Sequence, residues 1–211
     1  MTRLVDRRKV IVITDGDRNA RRAVEVAARR IKARCISASE GNPTTLTGPE
    51  ILELIKSAPY DPVVVMVDDK GNCCKGAGEQ VLEFLSKSAE VEILGAVAVA
   101  SNIRHSHGIQ VDCSIGQDGQ VVGGPVNKAG LPSGNAQDTL KGDTVEVLTE
   151  LDVPVIVGTG DTGKMEGKDR MELGAPITTK AFQEILHRHS TYQRKEEGGC
   201  KCPSPVRKQE K

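Results

Sequence analysis

The sequence predicts an α/β fold: a mainly parallel, Rossmann- or flavodoxin-like sheet in a three-layer sandwich, with a β-hairpin inserted late in the chain. Three observations predict it. Val10-Ile11-Val12-Ile13 is a β-branched run, apolar on both faces as a buried parallel strand must be. Residues 62–67 hold a second such run, Pro62-Val63-Val64-Val65-Met66-Val67. Each run ends in aspartates and is followed by a stretch of helical period, so Asp15, Asp17, Asp68 and Asp69 fall at the sheet edge where open α/β folds bind ligands.

After the first strand, Ala20, Ala23, Val24, Ala27, Ala28 and Ile31 recur at helical spacing and form one apolar stripe. Residues 34–38 read as a short second strand. Thr47-Gly48-Pro49-Glu50 then has the form of a capping box opening a helix over 51–56. The third strand, 62–67, leads to a helix over 78–88 with Val81, Leu82 and Leu85 on one face. A fourth strand covers 93–100. Over 108–122, Ile109, Val111 and Cys113 alternate with polar residues and Asp118-Gly119 supplies a turn, the pattern of a hairpin. A Gly/Pro-rich loop, a helix over 135–150 interrupted by Gly142, and a last strand over 154–157 follow. The closing helix, 178–189, buries Ala181, Phe182, Ile185 and Leu186. Residues 1–190 therefore read as a single α/β domain. Residues 191–211 are polar, Lys/Glu-rich and aperiodic, the composition of a disordered tail.

If strand order begins 2-1-3, as in flavodoxin, strands one and three are neighbours and Asp15, Asp17, Asp68 and Asp69 converge. Crowded carboxylates repel unless a cation neutralises them, and hard oxygen donors of this kind suit Mg²⁺. The bland reading has these residues capping helices and turns. If capping is all that Asp17 does, Asp17→Asn is nearly neutral, because Asn caps as well as Asp, whereas in a crowded, unoccupied cluster the change stabilises by relieving repulsion.

A second glycine-rich stretch, Gly158-Thr159-Gly160-Asp161-Thr162-Gly163-Lys164-Met165, satisfies the GxxxxGK spacing of a phosphate-cradling loop. Met165 stands where a Mg²⁺-binding hydroxyl belongs, and Gly167, Gly174 and Pro176 make a poor helix start. What remains is a structural turn or a looser anion loop, with Gly160, Gly163 and Lys164 as its candidate residues.

Of 211 residues only 2% are aromatic, so the core is built from Val, Ile, Leu and Ala, and base-stacking platforms for nucleic acid are not expected. Net charge is zero, from 29 basic and 29 acidic residues, but residues 1–35 carry 11 Lys/Arg against 4 Asp/Glu. Arg18, Arg21, Arg22, Arg29 and Arg30 on the first helix form a solvated face or one that meets anionic headgroups. The longest apolar run, near 93–100, falls far short of the ~20 residues of a membrane span. The first nine residues have no apolar core of a secretory signal. Cys35 and Cys113 fall in strands and read as core thiols. Cys73-Cys74 and Cys200-Lys201-Cys202 lack metal-ligand spacing. His105 and His107 form at most a weak ligand pair, and His187 and His189 suit a helix C-terminus.

The segments Val10 to Arg18, Asp61 to Gly71, Gly123-Gly124-Pro125-Val126-Asn127-Lys128 and Val157 to Met165 together resemble the soluble stage V sporulation protein AE family of endospore formers, over about residues 9–189. The resemblance implies a non-enzymatic accessory protein encoded beside the membrane proteins of the spore's dipicolinic acid channel. It implies a position peripheral to the inner spore membrane and a part in the response to germinants that act through germinant receptors. The implied partners are membrane proteins of that channel or of the germination complex, and no catalytic residue is carried over. Thr14-Asp15-Gly16-Asp17-Arg18 is also similar to the Asp-x-Asp segment of Toprim domains, with Gly16 in place of the usual Pro. That likeness implies the alternative, a Mg²⁺-dependent enzyme acting on a phosphorylated substrate.

Overall fold

The structure is a computed structural model that describes residues 7–71, 75–103, 107–135, 138–151 and 153–197. The strands are β1 (Arg8–Ile13), β2 (Arg34–Cys35), β3 (Val63–Met66), β4 (Val91–Val99), β5 (Cys113–Ile115), β6 (Val121–Val122) and β7 (Ile156–Thr159). The helices are α1 (Arg18–Arg30), α2 (Gly48–Ser57), α3 (Ala77–Lys87), the single turn α4 (Val147–Glu150) and α5 (Pro176–Glu197). All seven strands form one sheet in the order β2-β3-β1-β4-β7-β5-β6, parallel except for the β5–β6 hairpin.

The helices divide between two faces because the chain moves across the sheet in two directions. From β1 it passes to one edge through α1. From β2 it returns through α2, then α3, and right-handed crossovers put these on the other face. Along β1 the pleat shows this division. Val10 and Val12 pack with Ile51, Ile55, Leu82 and Leu85 of α2 and α3, whereas Ile11 and Ile13 pack with Ala23, Ala27 and Phe182 of α1 and α5. The β1 side chains Val10, Ile11, Val12 and Ile13 are fully buried, and each contributes about 1.5–3 kcal/mol over an exposed position. As the composition implies, these cores are aliphatic; Phe182 is the aromatic exception among the fully buried side chains.

Four expectations are corrected. The strand order is 2-3-1-4, not 2-1-3: β1 already pairs with β3 and β4 along its length, so the two-residue β2 finds its free edge on β3. The neighbour relation between β1 and β3, which brings their ends together, holds regardless. The helix expected over 135–150 exists only as α4. Leu140 bridges instead to Ile109, Thr144 has a left-handed backbone (φ 57°), and a side chain at Gly142 would sit 2.2 Å from the Val99 carbonyl. Ile109 thus lies outside the hairpin, which closes with Ser114 opposite Val122 and Ile115 opposite Val121. Finally, α5 runs past His189 to Glu197, through the start of the stretch expected to be disordered. There Tyr192 packs on the core, and the hydroxyls of Ser190 and Thr191 donate to the His187 carbonyl. Residues 198–211, with Cys200 and Cys202, lie outside the described residues, as do Cys73, Cys74 and His105.

The capping box forms as expected: the Glu50 carboxylate accepts from the Thr47 amide at 2.8 Å and from its hydroxyl at 2.7 Å. Cys35 and Cys113 are buried free thiols, and burial pushes them up to about 12 and about 11. Such thiols stay protonated and inert.

Candidate functional site

The carboxyl ends of β1, β3, β4 and β7 meet at one edge. Thr14 ties two of them together, its hydroxyl accepting from the Val99 amide at 3.0 Å. Gly16 lets the next turn pass close to the 41–44 loop; a Cβ there would lie 2.3 Å from the Gly41 carbonyl oxygen. Its amide donates to Asp68 at 3.2 Å, so the β1 and β3 ends are joined through a carboxylate.

The four aspartates singled out by sequence separate into two settings. Asp15, Asp17 and Asp68 stay on the β1 side. Asp69 turns away: its Oδ1 accepts from the Gly78 amide at 2.6 Å, and its Oδ2 from the Glu79 amide at 3.2 Å and the Thr144 hydroxyl at 2.9 Å. It caps α3 from a distance because Gly76, at the cap position, has no side chain to offer. The two adjacent carboxylates thus part company, Asp68 accepting from Gly16 and Asp69 from the start of α3. Asp17 is the N-cap of α1, accepting from the amides of Asn19 at 2.7 Å and Ala20 at 2.9 Å.

Asp161, in the loop after β7, completes the β1 side. The Lys164 ammonium lies between Asp17 (2.7 Å) and Asp161 (3.0 Å), and Lys128 approaches Asp161 at 3.4 Å. Burial works to raise Asp17, but the Lys164 hydrogen bond and the two α1 amides outweigh it and hold the carboxyl below its ordinary value. Burial likewise works against the Lys164 charge, and the two carboxylates overcome it and raise its pKa. Asp15 has no such cation. Burial, with the charges of Asp17, Asp161 and Asp68, pushes it up to about 8. Asp68 rises to about 6, chiefly through burial. Asp143, beside Asp68 and Asp69, is also raised by burial.

Of the candidate anion-loop residues, Gly163 donates its amide to the Asp169 carboxylate at 3.0 Å, and the Lys164 amine is taken by Asp17 and Asp161. Gly160 lies against the 128–130 loop, a Cβ there coming within 2.6 Å of the Gly130 amide. The Gly163 amide and the Lys164 amine therefore serve carboxylates of the chain itself and the Asp161 amide the Lys128 carbonyl, while the buried Thr162 hydroxyl has no partner among the described residues. Asp169 is wholly buried and also caps α5, accepting from the amides of Ile177 (2.8 Å) and Thr178 (3.0 Å). Nothing in its sequence neighbourhood marks it. Sequence reasoning missed Asp143 and Asp161; the signal that could have found them is Gly-Asp-Thr, which occurs at 142–144 and again at 160–162.

The donor set fits an ammonium better than Mg²⁺. A metal would have to displace Lys164 and take Asp15 in its disfavoured ionised form. Among the described residues, no group of three or more His, Cys, Asp or Glu side chains is placed to hold a metal ion. Asp17→Asn keeps the cap but loses the Lys164 ion pair, worth about 0.5–1 kcal/mol at this exposure. This corrects the neutral outcome that capping alone implies. We expect the variant to melt a few degrees lower and neither protein to gain in millimolar Mg²⁺. A rise of several degrees with Mg²⁺ in the wild type, absent in the variant, would place a metal here instead.

Fold and edge define the class: a doubly wound α/β domain with a lysine-neutralised acidic cluster at the carboxyl ends of its strands. Residues 9–189 match the family of stage V sporulation protein AE1, and the chain belongs to that family. The family ties it to sporulation and to the spore. No curated protein and no solved structure matches the chain.

Proposed function

We propose that this chain is a non-enzymatic accessory protein of the spore inner-membrane dipicolinic acid channel system and contributes to germinant-receptor-dependent germination. The observation that carries this reading is the family match, which spans the α/β body from β1 into α5. Two structural facts support it. At the sheet edge Asp17, Asp69, Asp161 and Lys164 are committed to ion pairs and helix caps, an arrangement that holds a shape. Among the described residues, no helix is long and apolar enough to cross a membrane, so association with membrane partners would be peripheral.

Deleting the protein is expected to slow germination triggered by nutrients while leaving spore formation largely intact. Crosslinking in intact spores is expected to recover membrane proteins of the channel or germination complex. A deletion that blocked dipicolinic acid loading would make the protein an integral part of uptake and end the accessory reading.

A second reading, a Mg²⁺-dependent Toprim-like enzyme acting on a phosphorylated substrate, draws on Asp15. A buried carboxyl that keeps its proton near neutrality has the property of a general acid. Turnover of phosphate esters by the purified chain in Mg²⁺, lost in Asp15→Asn, would replace the first reading with this one.

A further inference from the structure

Beside the acidic cluster, on the α1 face of the sheet, lies a cleft of about 270 Å³. The first turns of α1 form one wall, with Asn19 and Arg22; the loop from Gly163 to Glu172 forms the other, with Lys164 and Arg170. We propose that this cleft binds a phosphate group carried on a small organic substituent, either a free ester or a lipid headgroup.

Charge is the first argument. Three cationic side chains face the cleft and one acid, Glu172, opposes them. The neighbouring ion pairs engage Arg21 and Lys164. Among the described residues, Arg22 and Arg170 have no carboxylate at ion-pair distance, and both are exposed. Two guanidiniums on the facing walls of one cleft each offer the fork of donors that phosphate oxygens accept. Lys164 also lines the cleft, but its charge is met by Asp17 and Asp161, so the two arginines carry the attraction.

Size is the second. About 270 Å³ lies below the ~300–1,000 Å³ of pockets that enclose drug-sized ligands. It accommodates a phosphate and a few carbons, not a nucleotide. The third argument concerns the rim. Met171 lines the cleft at 41% exposed, and Leu173, two residues on, is 54% exposed. An apolar rim beside a cationic floor suits a phosphate whose other substituent is carbon. The site is therefore not the GxxxxGK loop, whose Gly163 amide and Lys164 amine are spent internally, but the outer side of that loop where it meets α1.

The test uses the full chain with two probes: sn-glycerol 3-phosphate in solution, and flotation with phosphatidylglycerol vesicles against phosphatidylcholine controls. Arg22→Ala and Arg170→Ala are expected to weaken binding about 10-fold each, the loss of one charge-assisted contact. Arg29→Ala, on the same helix but outside the cleft, should change it less than about twofold. Because Arg22 and Arg170 are exposed and lack carboxylate partners, all three variants should melt with the wild type. Independently of any variant, the amide resonances of Gly163 and Gly167 should shift on titration. Binding of the free ester assigns the ligand to solution; binding of vesicles alone assigns it to the lipid headgroup. No binding in either arm, or equal losses in Arg22→Ala and Arg29→Ala, overturns the site while leaving the accessory role, read by partner capture in spores, untouched.

Discussion

Asp169→Ala is expected to lower the melting temperature by roughly 10 °C. Asp169 is wholly buried, and its carboxylate accepts four hydrogen bonds. Its Oδ1 accepts from the amides of Ile177 and Thr178, which open α5, and its Oδ2 from the Thr178 hydroxyl and the Gly163 amide. One side chain thus fastens the start of α5 to the glycine-rich loop after β7. Truncation leaves these donors buried without acceptors, at about 1–3 kcal/mol each before relaxation, so a net loss on the order of 3–5 kcal/mol follows. Asp169→Asn should fall between, because its amide oxygen can still accept from the α5 amides while its NH₂ faces two further donors. Thermal unfolding of the three proteins at one pH checks the order. A change under about 2 °C in Asp169→Ala would show that water or a rearranged loop replaces the carboxylate.

Asp169 was beyond sequence reasoning because a cap that lies well upstream of its helix follows no local rule. The helix expected over 135–150 failed for a related reason. Its apolar residues have helical spacing, but Leu140 is bound across to Ile109 and Gly142 is pressed against β4, contacts that only the assembled sheet supplies. By contrast β1 and β3 were legible because burial on both faces leaves a mark no surface element carries, and the α2 capping box because it is local. Even the wrong strand order preserved the result that mattered. Both 2-1-3 and the observed order set β1 beside β3, and so Asp15 near Asp68.

The candidate site was half legible for the same reason. Strand ends predict which backbone positions meet; they do not predict what each carboxylate binds. Asp68 and Asp69, adjacent in sequence, part company, one accepting from Gly16 and the other from the start of α3. Lys164, read as an anion donor from its motif, is instead the cation that neutralises the cluster. Crowded carboxylates had required some such cation, without saying which.

Asp15→Asn is expected to stabilise the protein, and increasingly so as pH rises. Asp15 sits between Asp17, Asp161 and Asp68 with 8% of its surface exposed, and its carboxyl is pushed up to about 8 from an ordinary 3.8. The folded state therefore keeps a proton across that interval which the unfolded chain releases. Stability falls wherever the folded state binds more protons, so this group is harmless near pH 4 and costs progressively more up to about pH 8. Asp68, raised to about 6, adds to the slope in the lower half of the window. Every pH unit between the folded and unfolded values corresponds to about 1.4 kcal/mol, which makes the accumulated cost for Asp15 on the order of several kcal/mol. Asn has the shape of the protonated acid and no charge to gain. The melting temperatures of wild type and variant should therefore coincide near pH 4 and separate steadily toward pH 8, with the variant higher by roughly 10 °C at the top. A gap that stayed constant with pH would mean that Asp15 ionises normally in the fold. A wild type that gained on the variant as pH rose would mean that a cation neutralises Asp15, and the lysine-held cluster would have to be redrawn around it.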